Sequence, residues 1–359
     1  MDSLSQLALG AAVSVAVMRR RTAVWKAAAW GAVAGTLPDL DVLVDHGDPI
    51  LNMVLHRAES HALFWLALLS LPLAAAIAAL HRERPHWRAW WLAIALALLT
   101  HPLLDLMTVY GTQLLLPFTN RPYGVGSVFI IDPLYTLPLL VGTVWALVSR
   151  GSTAGLRANV AGLVLSTAYL GWGAAAQQHV ARRAAQSLAQ QGVVVQRLLV
   201  TPTPFNSVLW RVVAVGQGPA ASAAAGSPGP GGAAGPAPVF FYEGFHSLLD
   251  APGSITFDRF DRGDGLAVHL QGHDGTQRIR DFSQGFFKLH VQGDSLRVSD
   301  LRMGQEPNYV FSFAVARRRG ESGAWQAMPT QAAGGRSDPR QALAWLWQRL
   351  QGHPLPPPR

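Results

Sequence analysis

"ALFWLALLSLPLAAAIAALHRERPHWRAWWLAIALALLTHPLLDLM", residues 62 to 107, sets two apolar runs on either side of a short basic connection. A helix rises about 1.5 Å per residue, so a run of about 19 residues reaches roughly 28 Å, close to the 30 Å hydrocarbon core of a bilayer. The stretch reads as a membrane hairpin. Two later runs fit the same reading: "VFIIDPLYTLPLLVGTVWALV" (128 to 148) and "ANVAGLVLSTAYLGWGAAA" (158 to 176). The last is rich in small residues that let helices approach closely. Upstream, "LALGAAVSVAV" (7 to 17) and "AAAWGAVAGTL" (27 to 37) are apolar but short of a full span. The expected architecture is a mainly α, polytopic membrane domain of four to six helical segments over residues 1 to 180. Asp2 stands where a cleavable signal peptide would carry basic residues, which argues against such a peptide.

Composition supports a membrane chain. Of 359 residues only 14% are charged, and the mean hydropathy is +0.20. Cysteine is absent, which excludes thiolate metal sites and leaves imidazole and carboxylate as ligands. The formal net charge of +8 is not a nucleic-acid footprint, because the arginines sit in short clusters between apolar runs. "RRRTAVWK" (19 to 26), "HRERPHWR" (81 to 88) and "SRGSTAGLR" (149 to 157) are basic, while the connections at 38 to 61 and 108 to 127 are acidic or nearly uncharged. Basic loops favour the cytoplasmic side, which would place both termini and the acidic loops outside. Gln6, the 38 to 61 loop, His101, Asp105 and Asp132 would then approach one non-cytoplasmic face.

From about residue 193 short aromatic and alternating runs appear, among them "VVVQRLLV", "SVLWRVVAV", "VFFYEGF" and "GFFKLHVQG". They predict a smaller β-rich soluble domain over 181 to 328, interrupted by a Gly/Ala/Pro-rich, disordered insert at 218 to 238. The tail, 329 to 359, carries an amphipathic "DPRQALAWLWQRL" and a Pro-rich end.

Residues with metal chemistry concentrate between the spans. Residues 35 to 61 hold four aspartates and three histidines. Asp39 and Asp41 would share one side if the backbone is extended, and one ion could bind both. Otherwise one binds and the other orients a histidine. A turn or helix cap is the plainer reading of "PDLD". His56 and His61, five apart, need either an irregular segment or two different ions. Arg57 suits a phosphate oxygen or an aspartate, and equally a lipid headgroup at the bilayer surface. His101 and Asp105 are four apart on an apolar helix and share a face, as ligands or as a self-satisfied pair. Asp132 before Pro133 is a ligand or a helix N-cap.

With these residues in view, the chain resembles the YdjM-type membrane-bound metal-dependent hydrolases. The pieces that carry the resemblance are "MDSLSQLALGAA", "AGTLPDLD", "HRAESHALFW", "LLTHPLLDLMTVYGTQLLLPF" and "FIIDPLYTLPLL". It implies metal ligands at Asp39, Asp41, His56, His61, His101 and Asp105, with Asp132 as a further one. Gln6 stands where many members carry a histidine in "THxxLG", and in "HRAESHA" Ser60 stands in place of the usual threonine. The family is also distantly similar to the helical zinc-dependent phospholipase C and nuclease group.

The residues together with the resemblance imply an inner-membrane hydrolase with one or two divalent ions, zinc first and manganese or magnesium as alternatives. Asp39, Asp41 and Arg57 are the expected catalytic groups, and the expected substrate is a phosphoester or lipid-linked molecule at the outer interface, with Arg57 or Arg121 holding the phosphate. The rival readings are a membrane regulator with a structural metal site and a protein partner on the β-domain, and a proton-coupled transporter.

Overall fold

The computed structural model describes residues 1–218, 238–270, 272–318, 320, 323–335 and 338–359. The expected disordered insert at 218 to 238 lies outside the described residues, apart from its two end positions. The chain is a helical N-terminal region followed by a β-rich C-terminal domain. It divides into two compact units, one of residues 1–47, 52–175 and 204–207, the other of 48–51, 176–203 and 208–359.

The helices are α1 (Ser3–Met18), α2 (Val24–Thr36), α3 (Pro49–Leu55), α4 (Leu63–Leu80), α5 (Trp87–Leu106), α6 (Pro133–Val148) and α7 (Thr153–Gln190). Asp2 starts α1 by accepting the backbone N–H groups of Leu4 and Ser5, each at 3.1 Å. α1 then packs against α2, α5 and α6. Its contact with α2 is backbone on backbone. A Cβ added at Gly10 would stand 2.2 Å from the Gly31 carbonyl oxygen, so a larger residue at either position would drive the helices apart. Met18, Ala27, Ala74, Trp90, Ile94 and Leu98 fill the core between these helices.

Two segments, Leu63–Leu80 and Arg84–Leu106, are long and apolar enough to cross a membrane, while Ser3–Met18 and Pro133–Val148 are shorter apolar helices. The run at 128 to 148 is therefore not one helix. Asp132 accepts the Leu134 N–H at 3.0 Å and Pro133 occupies the first turn, so the helix starts there. The run at 158 to 176 lies inside the 38-residue α7. Outward faces are apolar: Phe64, Trp65, Leu68 and Leu69 on α4, and Leu134, Leu137, Val141 and Val144 on α6, are exposed. In water such faces would aggregate. Helices α4, α5 and α6 also each hold an internal proline, Pro72, Pro102 and Pro138, a pattern tolerated in membrane helices.

The basic connections meet at one end of this unit. Arg20 donates to Thr153 Oγ1 at 2.7 Å, Lys26 pairs with Glu83 at 3.0 Å, and Thr22 donates to the same carboxylate. Residues 38–61, His101, Asp105 and Asp132 stand at the other ends of the same helices.

In the second unit all strand pairs are antiparallel. One four-stranded sheet has the order β1 (Val194–Pro202), β2 (Leu209–Gln217), β3 (Val239–Ser247), β4 (Phe257–Asp261). The other has the order β10 (Gln326–Ala332), β9 (Ser312–Arg317), β6 (Ser295–Asp300), β5 (Phe287–Gln292). A two-stranded ribbon, β7 (Gly304–Gln305) with β8 (Asn308–Tyr309), and helices α8 (Asp274–Phe282) and α9 (Pro339–Leu350) complete it. Val213, Val215 and Phe241 pack with Phe286, Leu301 and Tyr309. Arg211 donates to Glu243 Oε1 at 2.7 Å and to the Leu301 carbonyl at 2.8 Å beside that core.

Candidate metal centre

The "PDLD" stretch does not stay extended. Leu37 continues the helical backbone of α2, Pro38 fixes its own φ, and residues Leu37–Leu43 form a 3-10 helix. Three residues per turn put positions two apart about 240° apart, so Asp39 and Asp41 face different ways. They do not share a side: Asp39 meets His61 at Nε2 and Asp41 stands by its Nδ1.

Asp39 meets His61, His101 and Asp105. One donor atom from each of the four lies within 4.8 Å of every other. His61 Nε2 stands 3.1 Å from His101 Nε2, 3.3 Å from Asp105 Oδ2 and 3.5 Å from Asp39 Oδ1. His101 Nε2 stands 3.5 Å from both Asp39 Oδ1 and Asp105 Oδ2. Five of the six edges of this four-atom figure are thus 3.1–3.5 Å. A tetrahedral ion with bonds of about 2.0–2.1 Å has edges of about 3.4 Å.

Tautomers point the same way. His101 Nδ1 lies 2.6 Å from the Gly35 carbonyl oxygen, which only accepts, so Nδ1 carries the proton. Ser60 Oγ donates to Asp41 Oδ2 at 2.6 Å and therefore accepts from His61 Nδ1 at 2.8 Å. Each Nε2 is left facing the cluster, a donor to its carboxylates while protonated and a ligand where a metal cation takes the place of the proton. Asp105 Oδ2 is buried and carries negative charge into the cluster, with Arg57 Nε and His61 Nε2 each 3.3 Å away. Burial pulls the His61 pKa down, but hydrogen bonds to Asp105, Asp39 and Asp41 outweigh it and raise it to about 9. Burial also opposes ionisation of Asp39, yet hydrogen bonds from His101 and His61 hold its carboxyl well below the usual range. The pocket favours positive charge, and its donors fit a divalent ion.

Asp41 works one layer out. It accepts from His56 Nδ1 at 2.8 Å, from the Arg57 backbone N–H at 2.9 Å and from Ser60. These bonds outweigh its burial and hold its carboxyl low. The segment from His56 to His61 is irregular: α3 ends at Leu55, Arg57 has φ 68, and a 3-10 turn spans Glu59–His61. That break is why two histidines five apart serve different places. His56 stands outside the four-donor group, edge-on to the His61 ring at 6.0 Å.

Arg57 is 3% exposed, so it is no headgroup anchor at the surface. Its Nε is 3.3 Å from Asp105 Oδ2, its Nη1 donates to Thr108 Oγ1 at 3.2 Å, and its guanidinium lies 4.9 Å from the Tyr110 ring centre. Gln6 Nε2 donates to Asp105 Oδ1 at 3.1 Å and to the His101 carbonyl at 3.2 Å. The Met1 ammonium also contacts Asp105 Oδ1. Asp132 is buried, caps α6 and accepts from Tyr169 at 2.8 Å, outside the four-donor group.

The family model described as YdjM inner membrane protein matches residues 1–180, half of the chain. The chain belongs to the YdjM family. That places it in the inner membrane, and the four donors all fall in the matched region. No curated protein and no solved structure matches the chain. Sequence reasoning on this YdjM member passed over the Gly35 carbonyl, Thr108 and Tyr110. Only the Ser60 hydroxyl had a signal, since it lies between His56 and His61 in the "HRAESHA" stretch that carries the family resemblance.

Proposed function

We propose that this YdjM member is a metal-dependent hydrolase of the inner membrane, acting on a phosphoester or lipid-linked substrate from the side opposite the arginine clusters. The observation that supports it is the near-tetrahedral set of Asp39, His61, His101 and Asp105 donors. Two nitrogens and two oxygens in that arrangement suit zinc first. A divalent ion here would supply Lewis-acid polarisation of a phosphoryl oxygen and a nucleophile from water at neutral pH.

The chain's own residues do the rest. Arg57, Gln6 and Thr108 hold Asp105 and the end of α5 in place. Asp41 fixes His61 through Ser60 and fixes His56 directly. His56 is the most open imidazole of the group, with its side chain 24% exposed, and Nδ1 is tied to Asp41. Its Nε2 would give a proton to a leaving oxygen or take one from water. Arg57 is committed to Asp105, so Arg121, exposed over Tyr123, is the better candidate to meet a substrate phosphate. α1, α2, α4, α5, α6 and the start of α7 form the embedded part, with the basic connections cytoplasmic.

A structural ion is the second reading. His61, His101 and Asp105 are fully buried, and four protein donors close a tetrahedron, as structural zinc sites do. The distinguishing experiment is hydrolysis of bis(p-nitrophenyl) phosphate and of phospholipid by the zinc-loaded, detergent-purified protein. Turnover lost in His56→Gln with zinc content intact supports the enzyme. Retained zinc with no turnover in wild type supports the structural reading.

A further inference from the structure

The second unit gathers three arginines on one aromatic ring and one bend of backbone. Arg262, just after β4, lays its guanidinium 4.5 Å from the Phe287 ring centre, and Arg280 of α8 lies 5.9 Å from the same ring. Two residues before Phe287, Gly285 has φ 84, and a Cβ there would come within 2.7 Å of Arg197 Nε. Arg197 therefore rests on bare backbone that only glycine leaves open. Phe287 is buried and forms a water-excluding floor.

The charges do not balance. Arg262 has a side chain 12% exposed, and its Nε is buried without a hydrogen-bond partner. Its nearest carboxylate, Asp264, lies at 3.2 Å and is 46% exposed. Arg197 and Arg280 have no ion pair among the described residues. Arg197 and Arg280 are exposed and Arg262 is half-buried, whereas the fully buried cations among the described residues of the unit each own a carboxylate: Arg211 has Glu243, Lys288 has Glu306, Arg302 has Asp300 and Arg349 has Asp250. Burial lowers the Arg262 pKa, and although Asp264 opposes this, Arg280 and Arg197 lower it further. Arg262 has one exposed carboxylate, and Arg280 and Arg197 are close enough to act on that arginine, which leaves room for a multivalent anion.

We propose that Arg197, Arg262 and Arg280 form an oxyanion site that takes a phosphate group. Guanidinium forks match phosphate oxygens in pairs, and the Phe287 ring holds two of the three forks before any ligand arrives. The phosphate belongs to a lipid headgroup or to a soluble molecule. This site belongs to the second unit and shares no residue with the metal centre.

The test uses the full chain in detergent, with inorganic pyrophosphate as the soluble probe and phosphatidylglycerol added to the micelles as the headgroup probe. Calorimetry reads the first and native mass spectrometry the second. At least one probe binds saturably. Charge-assisted bonds of about 1.5–3 kcal/mol set the expected loss at roughly ten- to a hundredfold in Arg262→Gln and Arg280→Gln. Asp264→Asn binds more tightly by removing the competing carboxylate. Arg317→Gln, an exposed arginine on β9 paired with Asp294, binds as wild type does. Arg280 is exposed, so Arg280→Gln keeps the test alive if Arg262→Gln fails to fold. Pyrophosphate binding alone assigns a soluble ligand, and retention of phosphatidylglycerol alone assigns a headgroup. Binding of neither probe, equal binding by wild type and the arginine variants, or equal loss in Arg317→Gln overturns the proposal.

Discussion

The Nε2 atoms of His61 and His101 face each other at 3.1 Å, while the Nδ1 of each is already engaged, one by Ser60 and the other by the Gly35 carbonyl. Two ring nitrogens this close need a proton or another cation between them. Asp39 and Asp105 border the same point, so the cluster could hold a metal ion.

The layer behind the donors should matter less than the donors themselves. Asp41→Asn removes the charge and one of the two acceptor oxygens that fix His56, Ser60 and, through Ser60, His61. Zinc affinity, measured by chelator competition, should fall about ten- to a hundredfold without being abolished, as for other partners behind a ligand histidine.

Gln6 holds Asp105 Oδ1 and the His101 carbonyl with one amide nitrogen, while its Oε1 is buried without a partner. Gln6→Leu strips both bonds and should destabilise the helical unit by about 1–3 kcal/mol. Gln6→His puts a further imidazole beside Asp105 and the His101 carbonyl, and chelator competition should show tighter zinc binding.

In the β-rich unit, Glu243 answers the buried Arg211. Glu243→Gln leaves that guanidinium without its charge partner and should cost about 3–5 kcal/mol, read as a lowered thermal midpoint of the β-rich unit.

Acid should loosen the α9 end of the same unit. Arg349 Nη2 donates to Asp250 Oδ2 at 2.7 Å and to the Phe245 carbonyl at 2.9 Å, and His246 Nδ1 is 3.0 Å from Asp250. Burial opposes ionisation of Asp250, but the Arg349 and Ser247 hydrogen bonds hold its carboxyl below 3.8. Burial lowers His246 below 6.5, although Asp250 pulls the other way. Both shifts make the unfolded chain the better proton binder, so stability falls as pH falls. The decline should begin below pH 6.5 through His246 and deepen below pH 3.8 through Asp250. Asp250→Asn should remove the deeper part of a thermal midpoint against pH curve.

Topology is open to direct labelling because the chain has no native cysteine. Asp45→Cys should react with an impermeant maleimide from outside intact cells, and Ser152→Cys only after the membrane is opened. The reverse pattern would invert the proposed orientation.

The sequence made some of this legible. Apolar runs at 62 to 80 and 89 to 107 became α4 and α5, because length and hydropathy alone decide such helices. His101 and Asp105 were readable as a pair since four residues is nearly one helical turn. The separation of Asp39 from Asp41 was not, because it depends on a 3-10 backbone that Pro38 and the end of α2 impose together. Likewise the role of His56 follows from the left-handed Arg57 and the break after Leu55, which no spacing rule reveals. In the β-rich domain β6 and β10 escaped notice, as "SLRVSD" and "QAMPTQA" carry little apolar alternation.

Metal content tests the central claim most directly. Wild type, purified in detergent and dialysed against buffered zinc, should hold about one ion per chain by elemental analysis, as one closed four-donor site requires. His61→Ala and His101→Ala, each confirmed folded by its thermal transition, should hold far less. A folded wild type without stoichiometric metal, or a His101→Ala variant that holds as much as wild type, would contradict the account.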